Sequence, residues 1–219
     1  MQSVRRWLVD IVAKNLKEPK GLGGLIVLNK LKTHNEILEH QAVETLGIQP
    51  NHRILEVGFG PGVGLAAALR RVKEGSGKVY GVDISSIVLS LTNQAFATEI
   101  KSGKLEIVQA DVINLPYGKN FFDGIFHTNC YYFWPDIPLA IRELNRVLKP
   151  GGVMVTTLAP ERLQKVTDEG YFKYASSWHM DDYTNALENG GFEDIINTVD
   201  DRKMTAKINI ISASKKTQK

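Results

Sequence analysis

A single cysteine in 219 residues, Cys130, rules out an internal disulfide and fits a reducing compartment. No stretch approaches the roughly 18 uninterrupted apolar residues that a membrane-spanning helix needs. Charge of neither sign dominates: 27 Lys and Arg stand against 24 Asp and Glu, and the net +3 is spread along the chain, apart from the lysines at 215, 216 and 219. That distribution gives no reason to expect a nucleic acid partner. No His, Cys and Asp cluster has metal-ligand spacing, so no metal is expected. There is no Gly-x-Ser-x-Gly turn, no internal repeat and no low-complexity linker. What is left is ordinary globular composition, 43% hydrophobic and 23% charged, at a length that suits one domain.

The opening segment Arg5-Arg6-Trp7-Leu8-Val9 has a superficial likeness to an export signal, but Asp10 and Lys14 interrupt it. Its apolar core is too short, and no small-residue cleavage site follows. Val4, Trp7, Leu8, Ile11, Val12 and Asn15 repeat at helical spacing, with Arg5, Arg6, Lys14 and Lys17 elsewhere on the wheel, so an amphipathic helix ending near Pro19 is expected. Its expected role is to pack on the domain or cap its site, in preference to resting on an anionic membrane or serving as an organelle transit peptide, which Asp10 and Glu18 disfavour. Gly21-Leu22-Gly23-Gly24 reads as a flexible break, and Leu25 to Gly47 as a second helix with Leu38, Ala42, Val43 and Leu46 on one face. Residues 1–47 are therefore expected to form a helical cap and residues 48–219 the core.

The most informative run is Ile54-Leu55-Glu56-Val57-Gly58-Phe59-Gly60-Pro61-Gly62-Val63-Gly64, an apolar strand joined to a helix through glycines at alternate positions. Glycine lets the backbone take positive φ and lets main-chain N–H groups approach a ligand, here at a helix N-terminus of partial positive charge. In the dinucleotide fingerprint such a turn cradles a pyrophosphate, and an acid about 20 residues later takes the ribose hydroxyls. Glu56, a carboxylate inside the turn, would repel phosphate. It suits a ligand with positive charge and no phosphate, such as S-adenosylmethionine with its ammonium and sulfonium. Asp83 ends the second apolar run, 25 residues after Gly58, where a carboxylate can take both ribose hydroxyls of either cofactor class. Asp111 ends the third, Leu105 to Gln109, and can accept from an exocyclic adenine amine.

Strands are expected at 53–57, 78–82, 105–109, 121–127 and 153–158, with helices at 63–72, 86–100 and 135–148 between them. Such alternation means parallel pairing through right-handed crossovers, with ligands at the strand C-termini. A helix at 180–189 is followed by strands at 192–199 and 206–214 around a turn at 200–203. The pattern is α/β: a Rossmann-like seven-stranded sheet, mostly parallel with a terminal antiparallel hairpin, helices on both faces. With the glycine turn, Asp83, Asp111 and the Leu148-Lys149-Pro150-Gly151-Gly152 turn in order, the stretch from about Arg53 to Leu158 resembles the class I S-adenosylmethionine-dependent methyltransferases. Within them it is most similar to the small-molecule group that includes the ubiquinone and menaquinone biosynthesis enzymes.

The resemblance implies a cytoplasmic enzyme that binds S-adenosylmethionine and methylates a small molecule at oxygen, nitrogen or carbon. It places Glu56, Gly58, Gly60 and Gly62 around the methionine end, Asp83 on the ribose, Ile84 on the adenine face, and Asp111 with the Val112 amide on the adenine edge. His127, at the end of the fourth strand, is a candidate both for cofactor contact and for a base at neutral pH; core packing is the alternative. The aromatic run after it, with Asn129, Tyr131 and Tyr132, is the candidate acceptor site, and Phe133 and Trp134 are expected to staple the next helix. Asn129-Cys130-Tyr131-Tyr132 keeps the Asn and Tyr of the Asn-Pro-Pro-Tyr motif of amide-methylating enzymes and lacks both prolines. Cys130 is expected to be a packing residue. Tyr174 and His179 lie in a short insert after strand five, where such enzymes place acceptor contacts. His127, Tyr132 and His179 are thus the catalytic candidates. The segment before strand one often closes such sites, which makes Thr33, His34 and Asn35 candidate lid residues. Two other readings share the glycine turn: a nicotinamide-dependent oxidoreductase, and a non-catalytic S-adenosylmethionine-binding regulatory module.

Overall fold

The computed structural model describes residues 2–201 and 207–217. Two helices come first, α1 (Gln2–Lys17) and α2 (Gly21–Leu46). The core then alternates: β1 (Arg53–Val57), α3 (Val63–Val72), β2 (Lys78–Asp83), α4 (Ser86–Ala95), α5 (Ala97–Lys101), β3 (Leu105–Gln109) and β4 (Phe122–Thr128). After a 3-10 turn at Tyr131–Phe133 follow α6 (Ile137–Val147), β5 (Leu148–Leu158), α7 (Pro160–Asp168), α8 (Met180–Asn189), β6 (Phe192–Asp200) and β7 (Ile208–Lys215).

The seven strands order as β3-β2-β1-β4-β5-β7-β6. β1 through β5 pair in parallel, and β7 enters antiparallel between β5 and β6. The chain reverses its direction of growth between β1 and β4, so their C-terminal ends splay apart into a crevice. Strand alternation divides the core. Leu55, Val57 and Ile125 pack with Ala140, Ile141 and Leu144 of α6 and with Tyr183 of α8. Ile54, Val79 and Phe126 pack with Leu38 and Ala42 of α2 and with Leu65 and Ala68 of α3. Helix α6 shows the local logic: Asp136 caps it by accepting from the Leu139 N–H at 2.7 Å, and Ala140, Ile141, Leu144 and Val147 recur at helical spacing on its buried face.

Four expectations are corrected. Gly21 to Gly24 is the first turn of α2, not a break. A Cβ on Gly24 would stand 2.9 Å from the Pro19 carbonyl carbon and 3.1 Å from Asn15 Oδ1, so glycine is what lets α1 pack there. Asn15 locks the junction, donating to the Ile11 carbonyl at 2.8 Å and accepting from the Lys20 N–H at 2.7 Å. The packed side of α1 is consequently Val12, Ala13, Asn15 and Leu16, while Val4, Trp7 and Leu8 stay exposed, Trp7 at 62%. The helix expected over 86–100 breaks at Phe96, whose ring lies where a Cβ on Gly62 would be, 2.8 Å from it. Finally, β5 begins at Leu148 and runs through Pro150 and the glycines. The turn expected at 200–203 reaches residues outside those described, as does the start of the last strand.

Gly24→Ala gains helix propensity of about 1 kcal/mol but forces a methyl into backbone that cannot swing aside, an overpacking cost of about 1–3 kcal/mol. The clash should win, loosening α1 and speeding tryptic cleavage after Lys17. Cleavage no faster than in the wild type would contradict this packing.

Candidate functional site

The crevice is a cavity of about 510 Å³ bounded by the strand ends, the glycine turn, α1, α2 and α7. Its floor follows from the turn. Gly58, Gly60 and Gly62 sit at φ of 69°, 47° and 78°, left-handed values that side-chain-bearing residues rarely adopt. The Gly58 N–H donates to the Val82 carbonyl at 2.8 Å, and the Gly60 N–H donates to Asp83 Oδ2 at 3.1 Å. Asp83 Oδ1 also accepts from the Ser85 N–H at 2.9 Å. Burial raises the Asp83 pKa, and the Ser85 and Gly60 amides oppose the rise. Asp83, Ile84, Asp111 and Val112 all line the cavity, as do Gly58 and Gly60. A run of backbone and two carboxylates along one wall is a donor and acceptor set that fits a nucleoside.

Beyond the glycine turn two buried acids meet. Glu56, on the α2/α3 side of β1, is 1% exposed, and Glu39 of α2 is 5% exposed. Both converge on Gly64: a Cβ there would lie 2.4 Å from Glu56 Oε1 and 2.7 Å from Glu39 Oε2. Burial lifts Glu39 to about 7, with the Thr128 hydroxyl and Glu56 pulling the other way. Burial, and then the Glu39 charge, push Glu56 well above the usual carboxylate range. Glu39 lines the cavity, whereas Glu56 is behind it and does not. Glu39 was not anticipated, although an acid between Leu38 and Ala42 on an apolar helix face is a legible signal.

The opposite wall is apolar and aromatic: Tyr132, Phe133 and Trp134 after β4, Leu163 and Val166 of α7, and Tyr171 and Phe172. Val12 and Leu16 of α1 and Val27 and Leu31 of α2 close it. Two of the three candidate lid residues, His34 and Asn35, line it, and Asn35 Oδ1 accepts from Asn129 Nδ2 at 3.0 Å. α1 is held down by Asp10, which accepts from Lys173 Nζ at 2.6 Å and from the Tyr174 hydroxyl at 2.7 Å.

Several candidates do not reach the cavity. Strand alternation sends His127 to the α6/α8 face, fully buried, with Nε2 2.7 Å from the Tyr183 hydroxyl and 2.6 Å from Thr156 Oγ1. Burial lowers its pKa to about 3, so its side chain is a neutral core group without contact to the cavity. Tyr131 is fully buried and donates to the Trp178 carbonyl, Tyr174 is committed to Asp10, and His179 is an exposed residue stacked on Trp178 at 4.9 Å. Gly62 is turned toward Phe96. Asn129 and Tyr132 do line the cavity, as does Cys130, whose thiol burial keeps protonated. Among the described residues no group of three or more His, Cys, Asp or Glu is arranged to hold a metal ion.

A family model described as a methyltransferase domain matches residues 55–156. An uncharacterized methyltransferase of Bacillus subtilis is 32% identical over 130 residues, 59% of this chain and 68% of that one. A ubiquinone/menaquinone biosynthesis C-methyltransferase of Vibrio cholerae is 34% identical over 110 residues, 50% of this chain and 42% of that one. This chain thus spans less than half of the quinone enzyme's length. Among solved structures, a phosphoethanolamine N-methyltransferase of Haemonchus contortus, in complex with S-adenosylhomocysteine and phosphomonomethylethanolamine, superposes with a TM-score of 0.68. The superposition covers 88% of this chain and 57% of that one at 17% identity, a likeness of fold.

The acid pair has a consequence for stability. Carboxyls whose pKa is raised on folding bind more protons folded than unfolded, so they cost stability progressively as pH rises above about 4.5. For Glu39 that loss accrues up to about pH 7, and for Glu56, which burial and the Glu39 charge hold well above the usual range, it continues upward from there. Glu56→Gln should therefore become more stable relative to the wild type between about pH 5 and pH 8, read as a growing difference in melting temperature. A difference that stays flat or shrinks with pH would contradict the shifted pair.

Proposed function

This chain belongs to the class I S-adenosylmethionine-dependent methyltransferases, and on that basis we propose that it moves a methyl group from S-adenosylmethionine to a small acceptor with an apolar body. The observation that carries the reading is the two-sided cavity, with polar backbone and carboxylates along the strand ends and an aromatic wall facing them. When bound, the cofactor supplies an electrophilic methyl group on a good leaving group. Asp83 would hold the ribose, Ile84 the adenine face, and Asp111 with the Val112 amide the adenine edge. Gly58, Gly60 and Gly62, with Glu56 behind them, would frame the methionine end.

The chain's own contribution is positioning. Aligning donor and acceptor supplies roughly 7–11 kcal/mol in favourable cases, and the closed apolar wall excludes water that would compete. With His127 neutral and out of reach, acid–base work does not fall to it. The aromatic faces of Tyr132, Phe133 and Trp134 suit a flat or cationic acceptor. The quinone-methylating relative supports an apolar ring of that kind. Residues 1–47 act as a cap in this reading, since α1 and α2 supply much of the roof. A small-molecule acceptor, no nucleic acid partner and a cytoplasmic setting complete it, the last resting on the free thiol of Cys130. Among the described residues no helix is long and apolar enough to cross a membrane. The buried acids beside the glycine turn disfavour a pyrophosphate and hence a nicotinamide dinucleotide.

Incubation with trideuteromethyl-labelled S-adenosylmethionine and a small-molecule extract of the source cells should yield a labelled apolar product by mass spectrometry. Tighter binding of NAD than of S-adenosylmethionine would overturn the reading. Asp83→Ala should weaken cofactor binding at least about tenfold, because each hydrogen bond to a charged acceptor is worth about 1.5–3 kcal/mol. Unchanged affinity would remove Asp83 from the site.

A further inference from the structure

Three buried acceptor atoms near the glycine turn have no donor: Glu39 Oε2, Glu56 Oε2 and Asn129 Oδ1. Unpaired buried acceptors are costly and mark a site that a ligand completes. Glu39 and Asn129 line the cavity, and Glu56 lies behind Glu39 across the space that Gly64 leaves open. An alkylammonium carries one positive charge and three N–H donors, which matches two unpartnered acceptors on cavity-lining residues and a carboxyl pair able to hold a single negative charge.

Lys17, Lys30 and Arg162 line the same cavity, and none of them is among the groups that act on Glu39 or Glu56. α2 brings Glu39, β1 brings Glu56, the end of β2 brings Asp83, and the segment after β4 brings Thr128 and Cys130; the charges acting on Glu56 are Glu39 and Asp83, both negative. The arginines of α3, Arg70 and Arg71, lie in its last turn and are exposed. Two buried carboxylates in such a place cannot both ionise, and one proton stays between them.

Resting on the methyltransferase reading, we infer that Glu39 of the cap helix meets the ammonium of the cofactor's methionine end and releases its proton to solvent as it does so, while Glu56 keeps its own proton and donates to Glu39. Glu39 is thus a cofactor-binding residue, Glu56 a positioning residue acting through it, and binding an exchange of one proton for one cation. Because α2 carries Glu39, the cap completes the cofactor site as well as roofing it.

The test is calorimetric titration of the full chain in buffers of different ionisation enthalpy, with S-adenosylhomocysteine, which has the amine, and 5′-methylthioadenosine, which lacks it. About one proton should leave per S-adenosylhomocysteine near pH 6, falling toward none near pH 8.5, and none with methylthioadenosine at either pH. Glu39→Gln should bind S-adenosylhomocysteine about tenfold or more weakly and release no proton. Glu56→Gln, whose amide still donates to Glu39, should keep most of the affinity and release fewer protons near pH 6. Tight S-adenosylhomocysteine binding by the wild type without proton release, or equal release with methylthioadenosine, would overturn the inference, and the wild-type result alone decides it should a variant fail to fold. Failure of the folded wild type to bind either ligand would instead sink the methyltransferase reading.

Discussion

The hydrogen bond from the Gly60 N–H to the Asp83 carboxylate, 3.1 Å long, ties the turn after β1 to the end of β2, and the cavity depends on that tie. It holds only because Gly58, Gly60 and Gly62 take left-handed φ, which folds the turn back on the strand ends. The same geometry starts α3 with its N-terminus at the crevice and brings Gly64 against the two acids. Sheet order does the rest: with β1 and β4 central and their connections running to opposite sides, nothing in the core covers their C-terminal ends.

α1 and α2 line the cavity above them instead. α1 and α2 form a helical pair sealed by glycine at the crossing and by Asn15; α2 packs into the core through Leu28, Leu38, Ala42 and Val43, and polar ties add to this: Ser85 Oγ donating to the Pro19 carbonyl, Arg162 Nη1 to the His34 carbonyl, and Asn129 Nδ2 to Asn35. Ties of this kind are individually weak, so what fixes α2 over the crevice is mainly its apolar face in the core. The surface that α1, α2 and the link between them turn to the cavity mixes apolar Val12, Leu16, Val27 and Leu31 with polar Lys17, Lys30, His34 and Asn35, and Glu18 and Glu39 are its acids.

Much of this was legible in the sequence. Strand positions and the acids at their ends follow from apolar runs that stop at Asp83 and Asp111, since strand ends at a parallel sheet's crevice must be polar where they meet a ligand. The helix bounds at 63–72 and 180–189 agree with the observed α3 and α8. What sequence reasoning missed depends on direction and long-range contact. His127 stood one residue from the strand end, and the strand's period of two decided whether it faced the ligand or Tyr183. Tyr174 and His179 were placed by their position in an insert, but Asp10, more than 160 residues away, determines where Tyr174 points. The Gly21–Gly24 cluster read as a break because glycine weakens helices, whereas its role is close approach of α1.

The most direct test is the crystal structure of the protein with S-adenosylhomocysteine bound. The amine should lie on Glu39 and Asn129 beside the glycine turn, the ribose hydroxyls on Asp83, and the adenine edge on Asp111, with the cap in place over them. A ligand seated elsewhere, or seated in the crevice with its amine turned away from Glu39, would contradict the site described above.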